Sequence, residues 1–183
     1  MDLPLLRAVG FNRSLHADYA HVSDYRALQK SVPDGWIALD FHCTTGEVAE
    51  SLAKPAWITI IDAHGGWIEG KPAIGGGGRW LPMDSVTTIG AQGVIFGACW
   101  SAHRDFLTDH VRGLLSGKGY LGGAGLIQND DTRVLAARLV DLYSAGVSNR
   151  TAHAQDLIDK AFAAAVGSHG KRAWTARWAR MSD

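Results

Sequence analysis

The chain has 183 residues, 18 Lys plus Arg against 18 Asp plus Glu, a formal net charge of +0, 46% hydrophobic residues and two cysteines. That length suits one domain with a full buried core, and the even charge gives no bulk attraction to nucleic acid or to an anionic membrane. Met1-Asp2-Leu3-Pro4 lacks a basic n-region, and no apolar run reaches the ~20 residues that span a bilayer; the expected setting is a reducing cytoplasm, with Cys43 and Cys99 as free thiols.

In chain order, Leu5 to Phe11 reads as a first, edge strand. Tyr19, Val22, Tyr25 and Leu28 fall at helical spacing and predict a helix over 18–30. Pro33-Asp34-Gly35 is a turn, and Trp36 to Phe41 the next strand. Thr44 or Thr45 caps a helix running to about Leu52, with Glu47 in its first turn. Trp57 then opens a solidly apolar strand to His64. Strand-helix-strand-helix-strand is the alternation of a parallel sheet.

Trp67 to Ile74 reads as a small hairpin, Gly75 to Gly78 as a flexible connection, and Pro82 to Ile89 as a lead-in through a short helix. The glycine run reads as part of a surface hairpin rather than a phosphate cradle, because Arg79-Trp80-Leu81-Pro82 supplies neither a Lys-Ser/Thr nor a helix opening from the loop. Val94 to Cys99 is a second apolar strand. A helix is expected over 102–115, ending near Gly117, then a strand over 120–127, a loop over 128–132 and a helix over 133–143. Ser148 or Thr151 starts a further helix to about Val166. In the tail, Trp174, Trp178 and Met181 share a helical face, which predicts a terminal helix docked by its Trp stripe, with a partner surface as the alternative.

Two strand ends carry the chemistry. Continuous apolar runs fit strands buried on both faces of a parallel sheet, and such sheets bind ligands beyond the carboxyl ends of their strands. One run ends at His64-Gly65 and the other at Ala98-Cys99. A thiol and an imidazole at neighbouring strand ends form the pair that a cysteine hydrolase needs.

This pairing, in this order, resembles the caspase-like (clan CD) cysteine peptidases, most closely the bacterial CHAT-type peptidases. The resemblance rests on His64-Gly65 and Ala98-Cys99 and extends to about residue 165. The CHAT counterpart of the strand after Cys99 ends in a Leu-Trp-x-Val-Asp-Asp-like segment. Here Ile127 replaces the Trp and Asn129 the Val, while Asp130 and Asp131 remain. The chain departs from caspases proper: it has Gly97-Ala98-Cys99-Trp100-Ser101 in place of Gln-Ala-Cys-x-Gly, and Cys99 follows His64 by 35 positions against about 50 in caspases. The caspase preference for Asp is therefore not carried over.

The resemblance implies an α/β, caspase-like three-layer sandwich, a mostly parallel sheet flanked by helices. Residues 1–183 form a single such domain, with 167–183 a C-terminal helical extension. It implies cleavage of a protein or peptide substrate by a Cys-His dyad, Cys99 attacking and His64 moving the proton, without cofactor or metal. A helix starting just beyond Cys99 would favour its thiolate. The family's oxyanion hole maps onto the backbone N–H groups of Gly65 and Cys99. Asp130 and Asp131, at a strand end on the site's side of the sheet, are the candidates for binding an Arg or Lys side chain, with Asp40 and Asp62 as competitors. Asp130 or Asp131 equally suits a helix cap. Many bacterial relatives answer to a regulatory protein partner. With no room for a long processed linker after Cys99, maturation without internal cleavage is expected.

Two other classes remain open. A flavodoxin-like cysteine hydrolase or amidotransferase would use a His after the Cys, namely His103, His110 or His153. A binding module with this fold would need none of them. His42 and Cys43 give an incomplete ligand set for zinc.

Overall fold

The computed structural model describes residues 3–12, 20–128, 130–146, 153–169 and 171–181. Its central sheet is built from β1 (Leu6–Phe11), β2 (Ile37–His42), β3 (Ala56–Asp62), β7 (Ala91–Gly97), β8 (Gly119–Gly123) and β9 (Trp178–Ala179), in the order β2-β1-β3-β7-β8-β9. The first five are mutually parallel and β9 runs antiparallel to β8. Between β3 and β7 the chain makes a separate antiparallel sheet of β4 (His64–Ile68), β5 (Lys71–Gly76) and β6 (Arg79–Pro82).

Alternation along the strands feeds two cores. Leu6, Ala8, Ile58, Ile60, Ile95 and Leu121 face one side, under α1 (Ala20–Lys30), α4 (Asp131–Ser144), α5 (Ala154–His169) and α6 (Lys171–Arg177). Val9, Phe11, Ile61, Val94 and Phe96 face the other, under α2 (Thr45–Ala53), the small sheet and α3 (Asp109–Leu115). Ile58, Ile60 and Ile61 are fully buried in β3, each side chain contributing about 1.5–3 kcal/mol by leaving water. The result is a mixed α/β fold with a largely parallel sheet flanked by helices.

Several boundaries differ from the sequence reading, each for a physical reason. β1 is an interior strand, hydrogen-bonded to β2 and to β3; β2 is the edge. The strand from Trp57 ends at Asp62, and His64 belongs to β4. Gly75 and Gly76 lie in β5, and the turn is confined to Gly77 and Gly78, whose φ of 59° and 79° suit glycine. Only Met83–Ser85, a single 3-10 turn, is helical between Pro82 and Ile89. The cap expected at Thr44 is present: its hydroxyl accepts from the Glu47 N–H at 3.3 Å. The expected starts at Asp18, Ser148 and Thr151 lie outside the described residues.

After Cys99 the expected long helix is replaced by successive turns, and α3 begins only at Asp109, capped by Thr108, whose hydroxyl accepts from Val111 N–H at 3.4 Å. The backbone of 99–107 is used elsewhere. Trp100 N–H donates to the Gly125 carbonyl at 3.0 Å and Ala102 N–H to that of Gly123 at 2.8 Å. The same bonds end β8 at Gly123, short of Ile127. The tail docks as expected, with Trp174 and Trp178 buried and stacked at 6.4 Å, but Trp178 does so from β9 rather than from a helix.

Candidate functional site

In the strand order β2-β1-β3-β7-β8 the winding reverses between β1 and β3, and ligand crevices form beyond the carboxyl ends at such a reversal. A cavity of about 140 Å³ lies there, room for roughly five waters at the liquid density. Phe11 closes β1 on one side. Asp62, Ala63 and His64 come from the end of β3 and the start of β4, Gly97 and Cys99 from the end of β7. Ile127, Gln128 and Thr132 complete the wall, with Gly75 and Gly76 of β5. His64 and Cys99 therefore share one cavity; His64 is exposed and Cys99 half-buried.

The Cys99 turn is held by a buried hydroxyl. Ser101 is 0% exposed. Its Oγ donates to the Phe96 carbonyl at 2.7 Å and accepts from Gly123 N–H at 2.8 Å, while its carbonyl accepts from Tyr120 Oη–H at 2.7 Å. One side chain thus ties the ends of β7 and β8 to the turn. Trp100, next to the thiol, has φ 64°, a left-handed conformation that costs a bulky residue about 1–2 kcal/mol. Such strain persists only where its surroundings over-determine it, here through the bond to Gly125. The Cys99 N–H has no hydrogen-bond acceptor among the described residues.

Gly65 packs directly on this turn. A Cβ built at 65 would run into the Cys99 carbonyl oxygen and stand 2.9 Å from its nitrogen and carbonyl carbon. Only glycine lets β4 approach the turn this closely. The helix expected to begin beyond Cys99 starts ten residues later, at Asp109, so its N-terminus is not placed at the sulfur.

Asp62 is the acidic member of the wall. Thr132 Oγ1 donates to its Oδ2 at 3.1 Å. Burial pushes the carboxyl up to about 6, against the opposing pull of the Thr132 hydrogen bond and of the nearby Tyr25 hydroxyl. The Tyr25 hydroxyl is itself raised well above its ordinary range, first by burial and then by the Asp62 charge. It has no partner in hydrogen-bond geometry among the described residues.

The other sequence candidates are engaged elsewhere. Asp40, on β2, pairs with Arg7 and, at 3.2 Å, with Lys54. Asp130 is exposed and pairs with Arg133. Asp131 is buried at the start of α4, where it accepts from Arg177 Nε at 2.7 Å, Arg177 Nη2 at 2.9 Å and Trp178 Nε1 at 3.1 Å. None of the three lines the cavity; Asp131 instead fastens the tail. His42 bonds Ser51 at 2.8 Å. His110 bonds the Val86 carbonyl at 2.9 Å, and His103 stacks edge-on with Trp67 and Trp100; with His153, both lie outside the cavity wall. Sequence reasoning passed over Ser101 and Thr132, whose roles depend on partners 22 and 70 residues away.

No helix among the described residues is long and apolar enough to cross a membrane. No protein-family model matches the chain, and no curated protein matches it.

Proposed function

We propose that the chain is a caspase-like cysteine endopeptidase acting through Cys99 and His64. The observation that carries the reading is that these two residues line one cavity at the carboxyl ends of neighbouring parallel strands. Cys99 passes its thiol proton to His64, its Sγ attacks the scissile carbonyl carbon, and the carbonyl oxygen takes up the negative charge. The unengaged Cys99 N–H, with that of Gly65, donates to this oxyanion. His64 delivers a proton to the departing amine, leaving an acyl-enzyme. It then takes a proton from the water that releases the acid and restores the thiol. The held turn contributes by fixing the nucleophile before substrate arrives.

The five parallel strands also follow the order of flavodoxin-like folds, which favours the amidotransferase-like reading at the level of fold. That reading needs His103, His110 or His153 beside the thiol, and the cavity wall contains His64 instead.

The test is labelling of the purified protein with peptide acyloxymethyl ketones, followed by mass-spectrometric mapping. The expected result is modification of Cys99 that is lost in His64→Ala and kept in His103→Ala, His110→Ala and His153→Ala. Labelling that survives His64→Ala and fails in one of the other three moves the enzyme to the flavodoxin-like class. A Cys99 inert to every probe and to small thiol reagents leaves a binding module.

A further inference from the structure

Asp62 and Gly97 are register partners on β3 and β7, and theirs is the last rung the two strands share. His64 and Cys99 each lie two residues beyond it. The Ala63 N–H donates to the Gly97 carbonyl at 3.3 Å, which ties the segment leading to His64 to the same rung. Whatever fixes this rung fixes the starting points of the two short segments that carry the imidazole and the thiol.

Thr132 reaches the rung from α4 and engages both halves of it. Its Oγ1 donates to Asp62 Oδ2 at 3.1 Å. Its methyl fills the space beside Gly97, where an added Cβ would run into it. Glycine at 97 is what lets the helix close down on the strand end. Thr132 is buried, and a β-branched side chain has few χ1 rotamers to choose from, so hydroxyl and methyl are presented together. Serine would keep only the first contact, valine only the second. The preceding residue, Asp131, accepts from Arg177, Trp178 and, at 3.3 Å, the Gln128 N–H. These bonds anchor the start of α4 and hold Thr132 in place.

We propose that Thr132 is a positioning residue for the Cys99–His64 pair. Its methyl sets the strand end that leads to the thiol, and its hydroxyl, through Asp62, sets the strand end that leads to the imidazole. The proposal rests on the peptidase reading and adds the element that holds the two reacting groups in mutual geometry. Thr132 takes no part in bond making; it acts by where it puts the two groups that do.

The test measures kinact and KI of a peptide acyloxymethyl ketone on Cys99 in the wild type, Thr132→Ser and Thr132→Val, with urea melts of each protein. Both variants are expected to lower kinact by about tenfold or more while KI stays within about twofold, because displaced reacting groups slow the chemical step more than they weaken binding. The control is Val140→Ala, which trims the buried face of the same helix about two turns further along. It is expected to lower stability and leave kinact unchanged. A kinact at the wild-type value in either Thr132 variant overturns the proposal. So does a loss confined to KI, which would make Thr132 a wall that the substrate touches. An equal loss of kinact in Val140→Ala overturns it as well, since loosening of the fold would then suffice. These three results leave the peptidase standing wherever labelling of Cys99 is lost in His64→Ala. Wild-type labelling that is absent, or that survives His64→Ala, removes the peptidase reading and the proposal with it.

Discussion

Gly65 lies against the backbone of Cys99 so closely that no side chain fits between them. The strand that carries His64 and the turn that carries the thiol are therefore in register through main chain, not through side chains that can swing aside. Gly65→Ala must push them apart. The expected cost is about 1–3 kcal/mol of stability, read in urea melts. Displacement on the scale of an ångström lowers Cys99 labelling by about a hundredfold. Labelling at the wild-type rate in a folded Gly65→Ala protein would show that this contact does not set the site.

Ser101 makes the same point from the sheet side. Removing its hydroxyl strands the Gly123 N–H inside the protein and frees the Phe96 carbonyl. Ser101→Ala is expected to destabilise by about 1–3 kcal/mol and to slow Cys99 labelling, while Ser101→Thr, which keeps the hydroxyl, recovers part of the stability if its methyl finds room.

Asp62 ties stability to pH in an unusual direction. Its folded pKa, about 6, lies above the ordinary 3.8. The folded chain thus holds the proton more tightly than the unfolded chain. Stability from this group is full below pH 3.8 and falls as pH rises to 6, by at most about 3 kcal/mol at about 1.4 kcal/mol per unit. Asp62→Asn removes the ionisation, so it should raise the melting temperature relative to wild type at pH 8 and have little effect near pH 4. An equal shift at both pH values would mean that the carboxyl is not buried as described.

Arg177 and Asp131 join the tail to α4 through a bidentate pair, with Asp131 4% exposed and Arg177 17%. Arg177→Ala leaves a buried, uncompensated carboxylate and is expected to cost about 3–5 kcal/mol. The double variant with Asp131→Asn should be more stable than the single one. Thermal melts of the three proteins decide it.

The apolar runs before His64 and Cys99 were legible because a strand buried on both faces has nothing else to be made of. The lateral place of each strand was not. Leu5 to Phe11 has the composition of an edge or an interior strand, and only the crossovers put β1 between β2 and β3. Phe106, Leu107, Val111, Leu114 and Leu115 look like a single helix stripe. The first two reach the core from turns, because Trp100 and Ala102 spend their N–H groups on the end of β8. Nearness of an acidic residue to a strand end does not reveal which basic side chain neutralises it. Asp131 meets its partner 46 residues later, and Asp62 stands out only once that bookkeeping is complete.

The tail has a consequence in time. The Cys99 turn is pinned from residues 123 and 125, and that stretch is fastened in turn by Ala124 N–H to the Arg177 carbonyl at 2.7 Å and by β9. Trp178 leaves the ribosome 79 residues after Cys99, about 4–16 s later at 5–20 residues per second. During that interval the nascent chain carries its thiol on a turn whose outer support has not yet been made. The Cys99 turn reaches its final support only once residues 177–179 have been made.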